Sequence, residues 1–259
     1  PLTPLGFHLA HMPMDVRTAK MLLYGALLRC LSPVLTIAAC LSEKSPFARG
    51  FGGKEREEAL RHEKTSAFGS LRSDHLAAVR VFEDWREARA RGREEERALC
   101  DKFGLSFSTL ESMASLRSRY LQHLQDVGFV PKHFSADSPT EGLKPRRWGS
   151  GGAQDASQPE DSLHELVWDP DANASELALI RCALCAGLYP NVAQIQRVSG
   201  GKGGGTKSFL VSAGDLDKCM VHPGSLNSRS LNEMQANHGW LLYHTKVKTS
   251  QVFLHDSTL

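Results

Sequence analysis

The chain has no long apolar tract, no disulfide framework and almost no excess of either charge. Its longest apolar runs, MLLYGALL and PVLTIAACL, are too short to cross a bilayer, and no charged-then-apolar signal segment opens it. No membrane contact is expected. The six cysteines, at 30, 40, 100, 182, 185 and 219, lack scaffold spacing and lie mostly in apolar surroundings. They read as reduced core thiols, which points to a cytoplasmic or nuclear compartment. With 31 Lys and Arg against 29 Asp and Glu the formal net charge is +2, so any polyanion must be met by local clustering of cations. The eleven histidines are scattered, and no Ser/His/Asp or Cys/His arrangement stands out. His8, His62, His75 and His123 read as capped or partly exposed side chains. What the 259 residues do supply is apolar content, 41%, enough for one large or two modest cores. The opening on Pro1 and the stop just after a strand pattern read as a piece of a longer protein.

Two patterns imitate ligand sites. SGGKGGGTKS, from Ser199 to Ser208, has the glycines of a phosphate loop, but Gly201-Lys202 is followed by Gly203, so the G-K-[ST] spacing fails. A turn between two strands is the expectation. Cys182, Cys185, Cys219 and His222 give C-x-x-C followed by C-x-x-H, the outline of a zinc site. The first pair falls inside an apolar helical stretch, RCALCAGL, so core packing is expected and no metal is assigned.

The first half reads as successive helices. Asp15 caps one, and Ser32 with Pro33 opens a second after a tight corner. A loop, SEKSPFARGFGG, leads to a charged helix near 54–67, and Ser73 precedes the next helix. A short helix at 94–103 is followed by one whose capping box is Ser108 with Glu111 and whose stop is Gly128. On that helix Leu110, Met113, Leu121 and Leu124 form a stripe with Arg117 near its middle. A buried guanidinium needs a carboxylate; otherwise Arg117 faces a groove. The stretch from Pro131 to Pro170 turns polar. Asn173 with Glu176 then caps a helix that Gly187 closes, and short β-like runs follow. The last of them, WLLYHTKVKTSQVFLHDSTL, alternates so that His244, Lys246, Lys248 and Ser250 share one face and Leu241, Tyr243, Val247 and Thr249 the other. Such a strand offers a basic front to a nucleic-acid backbone or simply to water.

Several segments, in order, resemble the C-terminal region of DEAH-box/RHA-type ATP-dependent RNA helicases. They are LTPLGFHLAHMPMDVRTAKMLL, LSPVLTIAACLSEKSPF, SDHLAAV, NASELALIRCALCAGLYPNVAQI, VHPGSLN and WLLYHTKVKTSQVFLHDSTL. The resemblance implies an α+β chain: an N-terminal helical bundle, ratchet-like and helicase-associated, followed by a C-terminal OB-fold-like β-barrel cut short at its end. Its implied divisions are 1–12 as the tail of a winged-helix domain, 13–131 as the ratchet-like domain, 132–172 as a polar linker, 173–187 as a connecting helix and 188–259 as an incomplete OB-fold. The motor domains, with their ATP and magnesium, are expected outside this chain, which has neither phosphate-loop nor D-E-A-H sequence, so no cofactor and no catalytic residue are assigned to it.

The partners the resemblance implies are single-stranded RNA and the motor domains of the same helicase. RNA-binding candidates are Lys44, Ser45, Ser73, Arg117, His244, Lys246, Lys248, Thr249 and Ser250, with the groove-facing reading of Arg117 preferred once the family is considered. Two departures are His255, where the family often has Arg, and Ser257, where Cys is frequent. The alternative function is a protein-interaction module receiving helicase-activating partners, through the charged helix at 54–67 or the linker.

Overall fold

The computed structural model describes residues 2–47, 53–136, 168–198, 207–228 and 239–259. Three helices open the chain: α1 (Pro4–Ala10), α2 (Val16–Leu27) and α3 (Leu31–Ser42). Asp15 caps α2 as expected, its carboxylate accepting from Arg17 N at 3.0 Å and Thr18 N at 3.1 Å. The corner into α3 is turned by Arg29 in the left-handed region, φ 57°. It brings α3 so close that a Cβ added to Gly25 would lie 2.9 Å from Val34.

The start of α3 differs from expectation. Cys30 is its cap position and gives no side-chain bond, while Ser32 sits inside the first turn. The exposed amides are met instead from far along the chain. Asp171 accepts from Ser32 N at 2.7 Å and also from the Ser32 hydroxyl, and Pro170 O accepts from Leu31 N at 3.1 Å. Of the stretch 132–172 expected as a linker, 137–167 lie outside the described residues, and 169–171 are anchored on this corner by Arg29 Nε donating to Asp169 O at 2.8 Å.

Four more helices follow: α4 (Gly53–Phe68), α5 (Asp74–Arg91), α6 (Arg93–Phe103) and α7 (Phe107–Asp126). Ser73 caps α5, accepting from Leu76 N at 3.1 Å. The capping box expected at Ser108 and Glu111 does not form. Ser106 caps α7, accepting from Thr109 N at 3.3 Å, and Glu111 turns to Arg89 at 3.4 Å. Gly128, φ 79°, follows the end of α7 as expected. The last helix, α8 (Leu177–Leu188), starts later than the Asn173 cap predicts, because the Asn173 amide donates to Leu28 O at 2.9 Å. Gly187 does not end α8. It lies where α8 crosses α2, and a Cβ there would meet Met21 Cβ at 2.6 Å.

Burial follows helical spacing. Ile180, Ala183, Leu184 and Leu188 carry α8 into the core it shares with Met21, Leu22, Leu31 and Val34. Cys182 and Cys185 are therefore on the outer face and exposed, which corrects their reading as core thiols. Among the described residues no three His, Cys, Asp or Glu side chains gather as metal ligands, and no helix is long and apolar enough to cross a membrane. A second cluster surrounds Phe82 and Trp85. Each such fully buried large side chain stabilises the fold by roughly 1.5–3 kcal/mol.

The strands β1 (Val192–Val198), β2 (Lys207–Ser212), β3 (Lys218–Val221), β4 (Trp240–Lys248) and β5 (Val252–Thr258) form a closed sheet in the order β1-β2-β3-β5-β4. β4 pairs back onto β1, and β3 with β5 is the parallel pair, Met220 opposite Phe253. Ala193, Leu210, Cys219, Leu241 and Leu254 fill the interior. β5 lies between β3 and β4 and pairs with both. The glycine-rich stretch at 199–206, expected as a turn, lies outside the described residues.

Bundle and barrel meet at Asp74, the first residue of α5. Its carboxylate accepts from Leu226 N at 2.9 Å, Ser257 N at 3.0 Å and the Ser225 hydroxyl, and Lys64 Nζ stands at 3.6 Å. Asn227 donates to Arg72 O at 3.2 Å and to the Ser257 hydroxyl at 3.0 Å. Three of the sequence segments, SDHLAAV, VHPGSLN and the end of the terminal strand, thus converge on one polar junction.

Candidate nucleic-acid interface

The start of α2, the end of α3, one face of α7 and the middle of β4 leave a gap. It forms a cleft of about 480 Å³ lined by Asp15, Ser42, Arg119, Tyr120, His123 and His244. A second cleft, of about 360 Å³, continues from it along the barrel past Arg17, Asn191, Asp215, His244 and Lys246. His244 belongs to both, so the two adjoin.

Each wall is held by its own local structure. Tyr120 Oη donates to Ser42 Oγ at 2.8 Å, tying α7 to the end of α3. Asp15 is occupied as the α2 cap, which leaves Arg17 beside it in the first turn. A cation there is disfavoured by the helix dipole. Asn191 Nδ2 donates to His244 O at 2.8 Å and fixes β4 at the junction of the clefts. Burial lowers the His244 pKa below its ordinary value, Asp256 at 4.0 Å opposes that, and Arg17 adds to it. A neutral imidazole is the form favoured at neutral pH. Arg17 and Arg119 are exposed, and neither has an ion-pair partner among the described residues.

The candidates named from sequence divide among different environments. Lys44 and Ser45 are exposed just beyond Ser42, and neither is among the residues lining the two clefts. His244 lines both clefts and Lys246 the second. Lys246 is not a free charge, however. Its ammonium pairs with Asp215 and, at 3.4 Å, with Asp217, both in the turn between β2 and β3. That hydrogen bond holds the Asp215 carboxyl well below the usual carboxylate range. The strand face is also less regular than alternation predicts: Leu241 and Tyr243 are buried but Val247 is 42% exposed. Lys248, Thr249 and Ser250 are exposed at the far end of β4 and the following turn, away from the clefts' lining.

Two candidates are corrected. Ser73 is fully buried and serves as the α5 cap. Arg117 is 4% exposed and does not face a groove. Its guanidinium lies 5.0 Å from the Phe82 ring centre and its Nη2 donates to Ser32 O at 3.5 Å. Its charge also opposes the burial that raises the Glu83 and Asp171 carboxyls. Cleft-lining residues not named as candidates from sequence include Arg17, Arg119 and His123. A signal existed for Arg119: at 100° per residue it lies 200° from Arg117, so if one is buried the other must point outward.

Comparison with known proteins adds two family matches. Residues 15–102 match the helicase associated domain (HA2), ratchet-like, and residues 180–259 match the oligonucleotide/oligosaccharide-binding (OB)-fold family. Relatives include ATP-dependent DNA/RNA helicase DHX36 of Homo sapiens, 36% identical over 257 residues, which are 99% of this chain and 22% of that protein. Putative ATP-dependent RNA helicase DHX57 of Mus musculus is 35% identical over 266 residues, 100% of this chain and 18% of that protein. DExH-box ATP-dependent RNA helicase DExH1 of Arabidopsis thaliana is 35% identical over 258 residues, 99% and 21% respectively. The chain spans about a fifth of the length of these curated relatives.

Proposed function

Because this chain belongs with the ratchet-like and OB-fold region of DEAH-box RNA helicases, we propose that it forms one wall of a single-stranded RNA channel. In this reading it serves motor domains of the same protein that bind ATP and magnesium. The observation that carries the reading is the pair of adjoining clefts meeting at His244, with Arg17 and Arg119 as unneutralised cations on their walls. Guanidinium groups suit phosphate oxygens, and a neutral imidazole can stack or exchange hydrogen bonds without adding charge. Contacts of that kind read backbone rather than base edges. A machine that steps along any sequence needs this indifference. The chain's own part is to hold and guide the strand, while hydrolysis belongs to the motors.

Photo-crosslinking tests the placement. Oligouridylate carrying photoreactive bases, irradiated with the chain and mapped by peptide mass spectrometry, is expected to mark residues around 13–18, 116–123 and 240–246. Crosslinks confined to α4, α6 or the outer face of α8 would remove the clefts from the RNA path.

A further inference from the structure

We infer that Cys182 and Cys185, on the outer face of α8, form a two-thiolate site for a soft monovalent cation of the Cu(I) class. The pair is the half of the C-x-x-C and C-x-x-H outline that the fold leaves in the open. Cys219 is buried among the side chains of the barrel interior, so the four residues do not gather as a zinc site. Both α8 thiols are free and exposed, and neither lines the His244 clefts.

Helical geometry decides what such a pair can hold. Three residues turn α8 by about 300°, so the two side chains leave one face of the helix about 60° apart. Their Cβ atoms then stand about 5–6 Å from each other. A disulfide needs about 3.5–4.5 Å between Cβ atoms, so joining the sulfurs directly would distort the helix. The following turn resists distortion, because Gly187 lies where a Cβ would meet Met21 Cβ at 2.6 Å. A bridging ion asks for less. With sulfur–metal bonds of about 2.3 Å it spans sulfurs roughly 4 Å apart.

The number of available donors selects the ion. Zinc takes four ligands, and among the described residues no three His, Cys, Asp or Glu side chains gather. Cys30 lies near enough for the Cys182 charge to bear on its thiol, but it is fully buried, and burial above all pushes it up to about 12. It stays protonated and outside the pair. Arg181, the one charged residue of α8, is turned away, its Nη2 donating to Leu71 O at 3.0 Å. Two exposed thiolates without a third donor suit a soft cation that accepts two-coordinate geometry.

The test is anaerobic titration of the intact chain with the coloured Cu(I)–bicinchoninate complex, whose bleaching reports transfer of the ion. The expected result is one ion per chain. Cys182→Ser and Cys185→Ser should each weaken binding at least about tenfold, because the second sulfur of a chelate acts at high effective concentration. Cys100→Ser, on α6, should change nothing. The double variant Ala178→Cys/Cys182→Ser keeps two exposed thiols, seven residues and about 10 Å apart along α8, and should bind no better than Cys182→Ser. Ala178, Cys182 and Cys185 are all exposed, so melting temperatures should match the parent's; where one falls, alanine replaces serine in the comparison. The inference is overturned if the chain withdraws no Cu(I) from the complex or if either serine variant keeps the parent's affinity. Parent-like binding by the Ala178→Cys/Cys182→Ser variant would also overturn it, by showing that the thiols act independently.

Discussion

At the Asp74 junction and at the His244 clefts the chain uses similar polar side chains to opposite ends. The Asp74 carboxylate collects backbone amides and hydroxyls from the barrel together with the Lys64 ammonium, so little of its charge is left over. At the clefts Asp15 is spent on capping α2 and Arg17 and Arg119 keep their charge toward solvent. The difference teaches that a polar residue within a family-like segment can report the framework rather than the ligand. Ser73 lies at the junction in such a segment and is buried, whereas Arg119 lies outside every such segment and faces a cleft.

The comparison breaks first at Asp74. Asp74→Ala would leave the Leu226 and Ser257 amides and the Lys64 charge without their acceptor, a loss of about 3 kcal/mol. Denaturant titration should show it as a lowered midpoint, and below that midpoint the salt dependence of RNA binding should match the parent. An unchanged midpoint would mean that the junction does not hold the two halves together.

A smaller effect separates the junction by pH. His75 is buried between the Asp74 and Asp256 charges, and burial lowers its pKa below 6.5. The unfolded chain then takes up a proton more readily than the folded one. Stability from this residue is complete above pH 6.5 and is lost as pH falls through the folded value. His244 shifts in the same direction, and the raised carboxyls of Glu83, Asp84 and Asp171 act oppositely, so the contrast with His75→Gln isolates the one group. Between pH 7.5 and 5.5 the parent should lose about 1 kcal/mol more than His75→Gln. Parallel pH curves would exclude His75 from the effect.

The smallest effect is expected at Lys246. With Asp215 and Asp217 already holding its ammonium, Lys246→Ala should change oligouridylate affinity less than about twofold. A tenfold loss by fluorescence anisotropy would show that RNA displaces the aspartates and that the sequence-level basic front was sound.

Much of the fold was legible because its signals are local. The Asp15 and Ser73 caps and the Gly128 stop all depend on neighbours within a few residues. What stayed hidden depends on distant chain. Asp171 caps α3 across the whole bundle, Gly187 is set by Met21 on another helix, and the partners of Lys246 come from a turn two strands earlier. Of the strand residues named from sequence His244 lines both clefts, while Lys246 is paired, since periodicity shows which residues share a face without showing which of those charges meet a partner. Arg117 shows the same limit: its stripe announced burial, but its carbonyl and ring partners lie on α3 and α5.

The most direct test of the clefts is the salt dependence of oligouridylate binding by Arg17→Glu/Arg119→Glu set beside Lys246→Ala. Arg17 and Arg119 as phosphate contacts predict that the log–log slope of the double variant flattens by about two, with the Lys246→Ala slope equal to the parent's. Equal slopes for the parent and the double variant, or a flattened slope in Lys246→Ala alone, would contradict the assignment of the RNA path to the His244 clefts.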